Sequence, residues 1–125
     1  LLDPETGRPV AVLDGTYLTA LRTGASSGVA TRHMARPEAA TLALFGAGGQ
    51  ALQQALAVLA VRPIRRVLLA NRTRARAASL AERLRATGYG GEIALADGPQ
   101  EALAEADVVC TATSAAAPLF DDAWL

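Results

Sequence analysis

The apolar positions of this chain change rhythm several times. Thr41-Leu42-Ala43-Leu44-Phe45 is a short apolar run without alternation, the pattern of a strand covered on both faces. Arg66-Val67-Leu68-Leu69-Ala70 repeats it, and 92–95 and 107–111 are shorter versions. Between them, 49–61, 73–86 and 99–105 carry helical spacing. Strands alternating with helices predict an α/β fold with a parallel sheet and right-handed crossovers.

Upstream the pattern differs. Asp3-Pro4-Glu5-Thr6-Gly7 is a turn signal, and Arg8 to Leu13 reads as a short strand, so residues 1–15 are expected to form an antiparallel hairpin. From Thr16 to Ala35 the spacing turns helical, with Tyr17, Leu18, Leu21, Ala25 and Val29 on one side. Gly24 and Gly28 lie inside this helix at about 1 kcal/mol each against alanine. That cost implies close packing against another backbone or a ligand. Arg36-Pro37-Glu38 ends the helix.

The first strand runs into Gly46-Ala47-Gly48-Gly49-Gln50-Ala51, a Gly-x-Gly-x-x-Ala turn that opens the next helix. Strand, glycine turn and helix in this order suit a dinucleotide pyrophosphate, as in a Rossmann-type doubly wound sheet with strand order 3-2-1-4. Gly46 permits the tight turn, Gly48 lets backbone amides approach phosphate, Ala51 keeps the helix close to the strand, and the helix N-terminus attracts the anion.

The second half of the motif lies about twenty residues further on, where the next strand ends in a residue that reads the adenosine ribose. Here that strand ends in Asn71-Arg72-Thr73-Arg74. An acid would bind the 2′-hydroxyl of NAD. Asn71 cannot repel a phosphate as a carboxylate would, and Arg72, Thr73 and Arg74 offer guanidinium and hydroxyl donors, so the pocket reads as one for NADP(H) in preference to NAD(H). Arg74 and Arg76 sit in a first helical turn, where the macrodipole disfavours cations, a local cost that favours a functional reading. The strand at 107–111 flanks the switch point, which turns Thr111, Thr113 and Ser114 towards the cofactor crevice.

Composition narrows the rest. The chain has 125 residues, 51% of them hydrophobic, and a formal net charge of zero, which argues against nucleic acid or an anionic membrane as partner. All twelve basic residues are arginine, so no lysine Schiff base can come from this chain. One cysteine, Cys110, mid-strand among apolar neighbours, fits core packing and a cytoplasmic setting. His33 is the only histidine, and no cluster with metal-ligand spacing exists. Both ends read as cut, so 1–36 is expected to be the end of a preceding domain and 37–125 a dinucleotide domain incomplete at its C-terminus.

Leu13-Asp14-Gly15, Leu18-Thr19-Ala20-Leu21-Arg22-Thr23-Gly24-Ala25-Ser26-Ser27, Phe45 to Ala51, and Ala106 to Thr113 with Pro118 and Trp124 resemble the ornithine cyclodeaminase/mu-crystallin family. The resemblance runs the length of the chain, and the segment around Arg22-Thr23 is its specific part. It implies that Arg22 holds a substrate carboxylate beside the nicotinamide and, with Thr23, lies near the cofactor phosphates. The residues agree in one respect. Arg22 shares a helical side with Leu18, Leu21 and Ala25, and a charge among small apolar neighbours needs an anionic partner.

The resemblance further implies hydride transfer at the C=N or C–N carbon of an amino or imino acid, in a cytoplasmic homodimer, and makes 1–36 the end of a substrate or dimerisation domain. Cyclodeaminases of the family carry an acid where Asn71 stands and use NAD. Its ketimine reductases carry Asn-Arg-Thr and use NADPH, and Asn71-Arg72-Thr73 matches that branch. The family's catalytic aspartate belongs beyond residue 125 and further carboxylate-binding residues before Leu1, so no catalytic residue is expected here. Ornithine cyclodeaminase or alanine dehydrogenase is the alternative activity, and a non-catalytic NADPH-dependent binder of small molecules a further one. A shikimate dehydrogenase-like enzyme matches residues 41–75 but has no counterpart of the Arg22 segment.

Overall fold

A computed structural model describes residues 1–124. Four strands form one parallel sheet: β1 (Thr41–Phe45), β2 (Arg66–Ala70), β3 (Glu92–Leu95) and β4 (Val108–Thr111), in the order β3-β2-β1-β4. The helices are α1 (Gly15–Met34), α2 (Ala51–Leu59), α3 (Arg74–Ala86) and α4 (Pro99–Ala104), and Asp122–Trp124 adds one 3-10 turn. The alternation, the parallel pairing and the strand order expected from the sequence are all present.

The unbroken apolar runs have a direct explanation. β1 pairs with β2 and β4, so both of its edges are hydrogen-bonded and both of its faces are covered. Leu42 and Leu44 point to one face, where Val58 of α2, Leu80 and Leu84 of α3, and Val67 and Leu69 of β2 form the larger core. Ala43 and Phe45 point to the other, with Leu68, Ala70, Ala102 and Leu103. Phe120 comes back over this second face, its ring 5.0 Å from that of Phe45.

α1 corrects one expectation. Tyr17, Leu18, Leu21, Ala25 and Val29 are exposed, and the buried stripe is Ala20, Gly24, Gly28 and Thr31. The reason lies in its partner. α1 packs on α2 so closely that a Cβ on Gly24 would stand 2.5 Å from the Gln53 carbonyl oxygen, and one on Gly28 would stand 3.1 Å from Ala57. The two glycines therefore serve backbone approach, as their cost implied. Small residues set the contact, not large apolar ones.

The hairpin is also reduced. The Asp3–Gly7 turn forms, with Asp3 Oδ1 accepting from the amides of Glu5 and Thr6 at 2.9 Å, but pairing stops at one bridge, Leu2 with Pro9. No strand forms over 8–13. Two strands alone are marginal without a sheet to join.

Charged side chains tie the amino ends of the strands. Asp107 accepts from the amides of Ala40 and Thr41 at 2.9 and 3.0 Å and from Arg36 at 2.6 Å. Arg62 donates to the carbonyls of Arg32, Ala35 and Arg36 at 2.7–2.8 Å, closing the C-terminus of α1. Arg66 pairs with Glu92 and Glu105.

Gly24→Ala gains about 1 kcal/mol of helix propensity but forces a methyl group onto a backbone carbonyl, an overpacking cost of about 1–3 kcal/mol. The net expectation in urea unfolding is destabilisation, whereas Gly15→Ala, with nothing within 4 Å, stays within about 0.5 kcal/mol of the parent. Asp107 supplies a pH-dependent test. Backbone amides first, then Arg36, hold its carboxyl below the ordinary 3.8. A depressed value means its stabilisation is complete above 3.8 and is lost as pH falls through the folded value. Asp107→Asn should therefore lower the melting temperature at pH 7, and the difference from the parent should shrink on acidification.

Candidate functional site

The carboxyl ends of the strands are built the opposite way. β1 ends at Phe45, whose carbonyl accepts from the Ala112 amide at 2.7 Å, and the next amide, Gly46, donates to Ala70 at 2.8 Å. Gly46 has φ +97°, a left-handed backbone that favours glycine, and a Cβ there would collide with the Ala112 carbonyl. Gly48 is different. Its added Cβ would meet only that carbonyl, at 3.9 Å, so its missing side chain leaves open space in front of the turn. α2 starts at Ala51, which is fully buried against the sheet, as its proposed packing role requires. Gln50 precedes it and makes no side-chain cap, and no acid sits in its first turn. The amino end of α2 is thus left to carry its partial positive charge.

In front of this turn lies an open cavity of about 710 Å³, between the carboxyl ends of all four strands. Gly46, Gly48, Asn71, Arg72, Thr73, Thr113 and Ser114 line it, so the glycine turn, the end of β2 and the turn after β4 converge as the sequence reading required. Asn71 Nδ2 donates to the Thr73 carbonyl at 2.7 Å, which shapes the turn into α3. Thr73 itself gives α3 no side-chain cap, and that helix also lacks an acid in its first turn. Thr113 Oγ1 accepts from the Ala115 amide at 3.1 Å.

Other candidates fall elsewhere. Gly49 lines a smaller neighbouring cavity of about 280 Å³ with Arg76, Ser79 and Arg83. Gln50 and Ala51 lie behind the turn, and Thr111 is exposed at the end of β4, outside the lining. Arg74 is not in the lining, but its Nη1 lies 2.7 Å from Oδ1 of Asp97, which is. Arg22 and Thr23, on α1, do not line the cavity. Arg22 is exposed without an ion pair among the described residues, and the Thr23 hydroxyl is buried without a hydrogen-bond partner.

Sequence reasoning also missed lining residues. These are Ala96, Asp97, Gly98 and Pro99 from the loop after β3 and Leu119 from the returning C-terminal segment, whereas Arg76, which the sequence reading did single out, lines the cavity as well. The strand order was the available signal for the first loop, since β3 beside β2 brings its carboxyl end to the same crevice. Burial pushes the Cys110 thiol up, which suits core packing and not a nucleophile. Among the described residues no three His, Cys, Asp or Glu side chains gather as metal ligands, and no helix is long and apolar enough to cross a membrane.

This arrangement matches known proteins. The model of the ornithine cyclodeaminase/mu-crystallin family aligns with residues 1–125. The chain belongs to that family. It is 45% identical to a Delta(1)-pyrroline-2-carboxylate reductase of Bacillus cereus over 98% of its own length and 37% of the reductase's. It is 44% identical to the L-lysine cyclodeaminase of Streptomyces rapamycinicus, over 90% of this chain and 32% of that enzyme. The Thermococcus litoralis Delta(1)-pyrroline-2-carboxylate reductase, solved with NADH and L-proline, superposes with a TM-score of 0.91 at 38% identity, over 99% of this chain and 38% of that one. The chain thus spans about a third of the length of these relatives. A shikimate dehydrogenase-like reading, which rested on 41–75 alone, gives way to a family that covers the whole chain.

The two glycines separate folding from binding. Gly46→Ala meets both a left-handed backbone and a carbonyl and should destabilise the chain by about 2–4 kcal/mol in denaturant unfolding. Gly48→Val should leave the unfolding midpoint within about 0.5 kcal/mol of the parent while filling the open space, so that nucleotide binding, followed by calorimetry, is lost.

Proposed function

We propose that this chain is the dinucleotide-binding part of an NADP(H)-dependent oxidoreductase that reduces a cyclic imino acid at the C=N carbon beside its carboxylate. The observation that carries this reading is the end of β2. Asn71, Arg72 and Thr73 line the cavity where a ribose reader belongs, without a carboxylate at the position of Asn71. The open space at Gly48 fits a pyrophosphate held by backbone amides, and the bare amino end of α2 favours its charge. The pyrroline-2-carboxylate reductase relatives support the imino-acid substrate. The Thermococcus relative was solved with NADH, so the preference for NADP(H) rests on this chain's own residues.

When bound, the reduced nicotinamide supplies a hydride. The chain contributes placement. Gly46 and Gly48 set the pyrophosphate path, Arg72 and the Thr73 hydroxyl hold the 2′-phosphate, and Thr113 and Ser114 border the β1–β4 side of the crevice. Arg22 orients the substrate carboxylate, with Thr23 beside the cofactor phosphates, a role that the exposed, unpaired guanidinium on α1 leaves open to it. Residues 1–36 then belong to the end of a substrate and dimerisation domain. Its packing supplies cover for Tyr17, Leu18, Leu21 and Val29, which are apolar yet exposed. The protein acts as a cytoplasmic homodimer, in keeping with a single buried thiol.

A second reading has support from the lysine cyclodeaminase relative at 44% identity, namely cyclodeamination of a basic amino acid with NAD. Titration with NADPH and NADH, on the parent and on Arg72→Ala, decides between them. The reductase reading expects NADPH to bind more tightly and Arg72→Ala to weaken NADPH by at least about tenfold, with little change for NADH. Equal or tighter NADH binding overturns the NADP(H) assignment and moves the cyclodeaminase reading to first place.

A further inference from the structure

Two arginines that lie close together in sequence are sent to different places. Arg74 and Arg76 are two residues apart on α3, which puts them about 200° apart around the helix. Arg74 reaches across to the loop after β3 and pairs with Asp97 at 2.7 Å. Arg76 stands on the side of the cavity, has no ion pair among the described residues, and borders both the main cavity and the smaller one beside Gly48, Gly49 and Arg83. Asp97 lines the main cavity too.

We propose that Arg76 is the second guanidinium of the 2′-phosphate pocket, partnering Arg72, and that Arg74 acts only by neutralising Asp97. The inference rests on the NADP(H) reading above. A phosphate monoester carries a charge of about −1.5 to −2 at pH 7, so one guanidinium leaves it partly uncompensated and two balance it. An unpaired Asp97 carboxylate in the same lining would repel that phosphate. Its pairing with Arg74 removes most of this repulsion and at the same time takes Arg74 out of contact with the ligand.

The test uses the full-length protein that carries this chain and two probes differing by the phosphate in question, 2′,5′-ADP and 5′-AMP, each titrated by calorimetry. Arg76→Gln should weaken 2′,5′-ADP roughly tenfold to a hundredfold and change 5′-AMP by less than about twofold. Arg76 is exposed, so the variant should retain the parent's circular dichroism and melting temperature. Arg74→Ala should weaken 2′,5′-ADP by about threefold, and Arg74→Ala with Asp97→Asn should restore it. If Arg76→Gln binds 2′,5′-ADP like the parent while Arg72→Ala does not, Arg76 is a surface residue and the NADP(H) reading survives without it. A double variant that stays weak assigns Arg74 a direct contact and overturns the Asp97 argument. A parent that binds 5′-AMP as tightly as 2′,5′-ADP removes the NADP(H) reading and this inference together.

Discussion

At Gly46 three strand ends meet in less space than a methyl group needs. The glycine amide bonds to the end of β2, the preceding carbonyl bonds to the turn after β4, and the Ala112 carbonyl occupies the place where a Cβ would stand. Because β1 is hydrogen-bonded on both edges, its end is the fixed point from which its neighbours' ends take their position. The left-handed φ at Gly46 then turns the chain out of the sheet, and fully buried Ala51 brings the start of α2 back against it. The crevice is a consequence of this packing. Its floor at the glycine turn is backbone, with open space where a Gly48 side chain would stand.

The distribution of charge follows the same polarity. At the amino ends of the strands, Asp107 and Arg62 are satisfied by neighbouring amides and carbonyls, and Arg66 pairs with Glu92 and Glu105. At the carboxyl ends, Arg72 and Arg76 have no ion pair among the described residues. Guanidinium groups that stabilised the fold would be found paired, since an exposed unpaired one gains only hydration. The exception at the carboxyl ends is Arg74, which pairs with Asp97 of the loop after β3.

The sheet was legible because burial on both faces leaves an unmistakable trace, the unbroken apolar runs at Thr41–Phe45 and Arg66–Ala70. Strand order followed from the glycine turn. The face of α1 was not legible by the same means. Hydrophobic patterning gives weight to Tyr17, Leu18 and Leu21, while a contact made by Ala20, Gly24 and Gly28 has almost no hydrophobic signal. The two glycines were the better guide, through their conformational cost. Arg74 and Arg76 could not be separated from composition alone, because Asp97 meets Arg74 only once β3 lies beside β2. Helix geometry says that the two arginines diverge, but not which of them finds an acid.

α1 connects these levels. Gly24 and Gly28 hold it against α2, and Arg62 fixes its carboxyl end to the start of the sheet, so α1 is positioned relative to the glycine turn at both ends of their contact. Along the same helix, Ser26 and Ser27 return their hydroxyls to the carbonyls of Arg22 and Thr23, whereas the Thr23 hydroxyl is buried without a hydrogen-bond partner among the described residues. An unsatisfied buried hydroxyl costs about 1–3 kcal/mol, and Arg22 beside it is an exposed cation with no ion pair among the described residues. The exposed Arg22 guanidinium is hydrated, so of the two side chains only the Thr23 hydroxyl, next to the glycine that sets the contact with α2, is left without a partner among the described residues.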